Sequence, residues 1–221
     1  MKLGKGLYAY LWTNPDENNC NTYLIHGEVT TLIDPGHFQH VPNLFHQMEG
    51  DGISPEEIDL IILTHSHPDH FEGLEAFMNK PVKIAMNREE ERYLLETGKL
   101  LFEMMRQPIP KFQIDIYLKE GELHLGKELF QIYQTPGHSP GSLSIYWPER
   151  KVLFTGDLVF YGGIGRTDFR EGDSRKIKAS IERMSSLDTE ILLPGHGELV
   201  MGRERVLQNF EFIRHNFYAY L

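Results

Sequence analysis

Apolar positions in the first third of the chain come in short runs broken by polar turns, a pattern that suits strands rather than helices. Residues 6–12, 20–26 and 29–33 are predicted strands, separated by the turn-forming stretch Asn14, Pro15, Asp16, Glu17, Asn18, Asn19 and by Gly27-Glu28. Ser54, Pro55 and Glu57 together predict a helix start, with Ser54 as N-cap, Pro55 in the first turn and Glu57 closing a capping box. Residues 59–63 follow, and their run Leu60-Ile61-Ile62-Leu63 fits a strand covered on both faces. Residues 88–105, rich in Glu, Leu, Arg and Met, favour a helix that Pro108 and Pro110 end. Beyond them the pattern predicts strands at 114–118, 128–134, 142–147 and 151–154, a helix at 174–185, a strand at 190–193 and a helix at 203–217. The mixture indicates a layered α/β or α+β protein, and nothing in it asks for more than a single domain over residues 1–221.

Composition narrows the functional classes. Apolar residues make up 40% and charged residues 24%, near the averages for folded proteins, which excludes disorder. The formal charge of −10 repels phosphate backbones and anionic lipid, so neither nucleic acid nor a membrane is an expected partner. The single cysteine, Cys20, cannot form an internal disulfide and reads as a buried apolar residue. With no apolar run of spanning length and no secretory pattern at the start, the expected location is the cytoplasm.

The chemistry concentrates in four places. Thr64-His65-Ser66-His67-Pro68-Asp69-His70 places four potential ligands directly after the predicted strand 59–63. Imidazole nitrogen with carboxylate oxygen suits zinc, iron or manganese, and the spacing suits two adjacent metals better than one. His138, Asp157 and His196 each lie in a glycine-bearing turn after a strand-like run: Pro136-Gly137-His138, Thr155-Gly156-Asp157 and Pro194-Gly195-His196. One such turn residue alone says little. Together with the first motif they make seven ligands. The other histidines, His26, His37, His40, His46, His124 and His215, read as solvated or packing residues.

The order His-x-His-x-Asp-His, His, Asp, His resembles the metallo-β-lactamase superfamily over nearly the whole chain. The resemblance implies a four-layer αβ/βα sandwich with the site at one edge. It implies that His65, His67 and His138 bind one metal, that Asp69, His70 and His196 bind a second, and that Asp157 bridges them. The resemblance also implies that Asp69 and Asp157 are the catalytic carboxylates of that set. Leu32-Ile33-Asp34-Pro35-Gly36 resembles the family's segment in which the aspartate orients the ligand loop. The cofactors expected are two divalent ions, zinc favoured, with iron or manganese as alternatives.

Gly163-Ile164-Gly165-Arg166-Thr167-Asp168-Phe169 is similar to glyoxalase II-like hydrolases and to persulfide dioxygenases. In both, a basic residue at the place of Arg166 holds a substrate carboxylate, while an ion pair with Asp168 is its structural alternative. Glyoxalase II proper also carries an aromatic residue just after that base and a helical C-terminal glutathione-binding domain. This chain has Asp168 near the former position and ends at Leu221, so a relative lacking that domain is expected. The resemblance therefore implies a hydrolase that uses a metal-bridging hydroxide on a small anionic thioester or related ester. The rival is a mononuclear iron persulfide dioxygenase, and a non-catalytic metal-binding module comes third. Gly197-Glu198-Leu199 after His196 departs from the Ala-His-Asp run of the dioxygenases. A β-lactamase is disfavoured because those enzymes lack an aspartate at the place of Asp157.

Overall fold

The short apolar runs at the start of the chain form strands, as their pattern predicts. In a computed structural model that describes all 221 residues, the chain divides into two compact units. The first comprises residues 1–118 with 125–127, the second residues 119–124 with 128–221.

The first unit contains β1 (Lys2–Gly4), β2 (Leu7–Tyr10), β3 (Thr22–Ile25), β4 (Thr31–Ile33), α1 (Val41–Gly50), β5 (Leu60–Ile62), α2 (Pro68–Phe71), β6 (Lys83–Asn87), α3 (Arg88–Tyr93), α4 (Lys99–Met104) and β7 (Ile116–Leu118). Its seven strands pair in chain order, β1 to β4 antiparallel and β4 to β7 parallel. A parallel neighbour needs a crossover, and α1, α2 and the α3–α4 segment occupy those connections. Every residue of β4 and β5 is buried, as their unbroken apolar runs require. Leu24, Leu32, Ile61, Phe71 and Met86 are among the residues of the core.

Two local expectations change. Ser54 caps as its sequence predicts, with both arms of the capping box formed, but Pro55–Glu57 makes only a 3₁₀ turn. The chain must be extended again at Ile58 to enter β5, and Asp59 accepts a hydrogen bond from the Thr30 amide there at 2.8 Å. The helix expected over 88–105 is three pieces, with a π-turn at Leu94–Gly98 between α3 and α4. Its apolar residues divide: Leu94 and Phe102 are core, while Leu95 and Met104 face solvent. Helix α1 and strand β6 went unpredicted, although Val41, Leu44 and Met48 carry helical spacing and are the buried residues of α1.

The second unit holds β8 (Gly121–Leu125), β9 (Glu128–Gln134), β10 (Leu143–Trp147), β11 (Val152–Gly156), β12 (Val159–Phe160), β13 (Gly163–Ile164), α5 (Ser174–Ser185), β14 (Ile191–Pro194), β15 (Val200–Met201) and α6 (Arg203–Phe217). Six strands form a sheet in the order β15-β14-β11-β10-β9-β8, and β12 and β13 make a separate hairpin. Strands β9 and β11 both run antiparallel to β10, and β14 is parallel to β11. The C-terminal ends of β9, β11 and β14 therefore point the same way. Asp173 caps α5 by accepting from the Arg175 and Lys176 amides. Ile177, Ile181 and Met184 of α5 and Val206, Phe210 and Ile213 of α6 complete the core of this unit.

Asn209 on α6 fastens the hairpin. Its side chain is 4% exposed, accepts from the Gly162 amide at 2.8 Å and donates to the Phe160 carbonyl at 2.9 Å. Asn209→Ala strands both backbone groups and is expected to cost about 1–3 kcal/mol in urea unfolding.

Candidate metal centre

In the first unit the ligand-rich loop leaves β5 beside the segment that leaves β4, because parallel neighbours end at the same edge. Asp34, 2% exposed, follows β4 with a left-handed φ of 54°. That conformation costs a non-glycine residue about 1–2 kcal/mol, so the surroundings must impose it. They do so through the side chain. Thr64 donates its amide to Asp34 Oδ1 at 2.8 Å and its hydroxyl to Oδ2 at 2.7 Å. His70 Nδ1 lies 2.9 Å from the same Oδ2.

These contacts fix tautomers. A carboxylate only accepts, so the proton of His70 sits on Nδ1 and Nε2 carries the lone pair. The Thr64 hydroxyl has given its hydrogen to Asp34, so its oxygen accepts from His65 Nδ1, 3.1 Å away. His65 Nε2 is thereby also left as a lone pair. The rings of His65 and His67 lie 4.7 Å apart and those of His65 and His70 4.1 Å apart, all buried. Asp69, likewise buried, accepts from Asn18 Nδ2 at 2.8 Å, and its Oδ2 is 3.9 Å from His70 Nε2.

The loop is also held from α3. Glu90, fully buried, accepts at Oε1 from the Ser66 amide at 2.9 Å and the Ser66 hydroxyl at 2.8 Å. Ser66 stands between His65 and His67, so this carboxylate sets the direction of both. His37, read from sequence as a solvated or packing residue, is buried and pairs through Nδ1 with Glu72 Oε2 at 2.7 Å.

The second unit brings His138, Asp157 and His196 together at the ends of β9, β11 and β14. The Gly195 amide donates to the Gly156 carbonyl at 2.8 Å, tying two of the turns. His138 Nδ1 lies 2.8 Å from the Arg166 carbonyl, which again leaves Nε2 as the lone-pair nitrogen. Asp157 Oδ2 is 3.4 Å from His138 Nε2 and 3.4 Å from His196 Nε2. Both distances are long for hydrogen bonds. They match the edge of about 3.3 Å between tetrahedral ligands at the zinc–nitrogen bond length. One carboxylate oxygen standing equally far from two imidazole nitrogens is the arrangement a bridging ligand needs. The donor set thus fits divalent metal: the Nδ1 atoms of His65, His70 and His138 are engaged, which leaves Nε2 to ligate, and carboxylates stand beside them.

Arg166 forms the ion pair with Asp168 that its sequence offered as one of two roles. Its side chain pairs with Asp168, Nε to Oδ1 and Nη2 to Oδ2, both at 2.6 Å, and lies over the Phe169 ring at 4.1 Å. That guanidinium holds the Asp168 carboxyl down to about 2. The ion pair is therefore present, and it is the Arg166 backbone carbonyl that orients His138. Gly165 allows this approach, since a Cβ there would fall 1.8 Å from the Asp157 carbonyl oxygen. Sequence reasoning missed Thr64, Glu90, Asn18 and this carbonyl. Thr64 has a signal in its place before His65, whereas Glu90 lies 24 residues from its partner and has none.

The metallo-β-lactamase superfamily profile matches residues 15–196, a stretch that runs through both units. The chain belongs to the metallo-β-lactamase superfamily, with its mixed α/β fold and its metal-dependent, hydrolase-like character. Hydroxyacylglutathione hydrolase GloC of Haemophilus influenzae is 33% identical over 204 residues, 86% of this chain and 90% of that protein. Among solved structures, the protein TTHA1623 in a di-iron-bound form is 30% identical with a TM-score of 0.74, covering 97% of this chain and 100% of that one. The BLEG-1 B3 metallo-β-lactamase is 28% identical with a TM-score of 0.77, covering 94% and 99%. No helix is long and apolar enough to cross a membrane.

Glu90→Ala is expected to destabilise the protein by about 2–4 kcal/mol, because it leaves the buried Ser66 amide and hydroxyl unpaired. Metal affinity, read by chelator competition, should fall about 10–100-fold. Glu90→Gln keeps an acceptor oxygen and should recover most of both losses.

Proposed function

We propose that this protein is a binuclear metal-dependent hydrolase of small anionic thioesters, with residues 1–221 acting as one catalytic domain. The observation that carries the reading is Asp157 Oδ2 standing 3.4 Å from both His138 Nε2 and His196 Nε2. In this assignment His65, His67 and His138 hold one ion, Asp69, His70 and His196 hold the other, and Asp157 is shared. Zinc suits the donors best, and iron or manganese suits them as well. The di-iron form of TTHA1623 supports two-metal loading with iron as an alternative to zinc.

Such a pair supplies hydroxide at neutral pH and polarises a carbonyl, so no serine or cysteine nucleophile is needed. The chain's own residues do the rest. Asp34, Thr64 and the Arg166 carbonyl keep the imidazoles in the ligating tautomer. Two divalent ions against Asp69, Asp157 and one hydroxide leave a formal charge of about +1, which draws anionic substrates. A thiolate departs without prior protonation, which favours thioesters, and GloC is named for hydrolysis of an acylated glutathione.

We assign Arg166 the anchoring of a substrate carboxylate, which would exchange with Asp168 on the guanidinium; its exposure supports this reading. β-Lactam hydrolysis, suggested by the likeness to BLEG-1, is a weaker reading because Asp157 stands against it. Against an iron dioxygenase stands Gly197-Glu198-Leu199 after His196.

Asp157→Ala is expected to abolish thioester hydrolysis and lower metal content, since it removes both a ligand and the charge between two cations. Two metals retained with near-normal turnover would remove the assignment. Arg166→Ala should raise KM for carboxylate-bearing thioesters more than for neutral ones, and equal effects would leave it only the ion pair. Thioester cleavage, nitrocefin turnover and oxygen uptake with glutathione persulfide, measured on one metal-analysed sample, separate the three chemistries. Oxygen uptake without thioester cleavage would overturn the hydrolase.

A further inference from the structure

Helix α6 turns two stripes toward its own unit. Val206, Phe210 and Ile213 enter the core, whereas Arg205, Gln208, Asn209 and Phe212, spaced i, i+3, i+4 and i+7, share another face. That second face and the β12–β13 hairpin enclose a cavity of about 380 Å³, lined also by Tyr161 and Gly162. The volume lies within the range of small-molecule sites.

The lining has a definite chemistry. Tyr161 is 54% exposed and Phe212 49%, so two large rings of this unit stay in water instead of joining its core. They line one cavity without stacking on each other, which leaves room for a third ring. Gly162, with a φ of 66°, keeps that room open: a Cβ there would stand 3.8 Å from Phe212 Cε1. Arg205 is exposed, and no hydrogen bond or ion pair engages its guanidinium. On the same helix Asp188 holds Arg203 at 2.9 Å and Glu182 holds Arg214 at 3.0 Å. None of the residues that line the cavity is acidic. Two open rings beside one uncommitted cation complement a ring that carries a negative charge.

The cavity shares a wall with the candidate metal ligands of its unit. Tyr161 follows Asp157 by four residues, so their Cα atoms are no more than about 14 Å apart even along an extended chain. Phe160 meets the His196 ring edge to face at 5.7 Å, and the segment runs on to Arg166, whose carbonyl meets His138 Nδ1. Asn209 holds the backbone on both sides of Tyr161, through the Phe160 carbonyl and the Gly162 amide. The wall is therefore fixed relative to the turn that carries Asp157.

We propose that this cavity is a recognition subsite for an aromatic carboxylate at the far end of the substrate's thiol half. The ring sits between Tyr161 and Phe212, and its acid pairs with Arg205. One guanidinium matches the single charge of a carboxylate, whereas a phosphate dianion would leave a charge unmatched on a chain of net charge −10. The subsite is distinct from the carboxylate position assigned to Arg166, which asks for no ring. The inference deepens the hydrolase reading and rests on it for its kinetic consequence, while direct ligand binding reports on the cavity alone.

Metal-loaded wild type, Arg205→Gln and Phe212→Ala are titrated calorimetrically with naphthoate and with adenosine monophosphate. Both substitutions fall at exposed positions, and thermal unfolding checks that the fold holds. Kinetics use the acetyl thioesters of N-carboxybenzoyl cysteamine and N-succinyl cysteamine, which both carry a carboxylate and differ by the ring. Naphthoate affinity is expected to fall about 10-fold in Arg205→Gln and at least about 5-fold in Phe212→Ala. The kcat/KM preference for the ring-bearing thioester should fall about 5-fold in Phe212→Ala. Naphthoate binding that is absent, or equal in all three proteins, would overturn the inference and leave the thioesterase reading intact. Tighter binding of adenosine monophosphate through the same two residues would overturn the choice of a carboxylate. Binding that depends on both residues, with the thioester preference unchanged, would remove the cavity from the substrate site. If wild type cleaves no thioester while naphthoate binding still needs Arg205 and Phe212, the cavity stands as a ligand site and the thioesterase reading falls.

Discussion

One buried carboxylate organises the first unit's share of the chemistry. Asp34 gathers the Thr64 amide, the Thr64 hydroxyl and His70 Nδ1 on two oxygens. Each of those donors stands next to a candidate ligand or belongs to one. Through the Thr64 hydroxyl the constraint reaches His65, and directly it reaches His70, so two imidazoles have their protons placed by one group. The left-handed backbone at Asp34 is the cost, and three hydrogen bonds to a buried charge offset it.

The second unit reaches the same end with different parts. At His138 Nδ1 the partner is a main-chain carbonyl, and the approach depends on the absence of a side chain at Gly165. Both solutions place the acceptor on Nδ1 and turn Nε2 toward the ligand position. Both also use strands that run in one direction, β4 with β5 and β11 with β14, because parallel neighbours deliver their loops to the same edge. A rigid sheet edge is what lets short loops hold ligands in place.

Helices enter this scheme as clamps. From α3, Glu90 grips Ser66 and Tyr93 reaches His67, and the π-turn that follows lets the chain pass the aromatic ring. From α6, Asn209 secures the hairpin that carries Phe160, whose ring meets His196 edge to face at 5.7 Å. Solvent-exposed Leu95 and Met104 beside the buried Leu94 and Phe102 show that the α3–α4 segment satisfies the core with one face only.

What the sequence by itself determined was the inventory and the local frame. The His65 to His70 cluster, the three glycine-turn candidates His138, Asp157 and His196, and the Asp34 segment were legible because each is a contiguous motif at the end of an apolar run. The boundaries of α5 and α6 were legible from periodicity, and the Ser54 cap from its spacing. Only the tertiary structure decided how those groups are aimed. Glu90 and Ser66 are 24 residues apart, Asn18 and Asp69 are 51, and His138 and Arg166 are 28, so no local pattern joins them. The π-turn inside a stretch of good helix formers had no signature either, since packing around Tyr93 rather than propensity sets it. Arg166 shows the difference most directly: its charge could be read as a substrate anchor or an ion pair, yet the atom that meets His138 is its carbonyl oxygen. Every residue has that atom, and only a fold can place it.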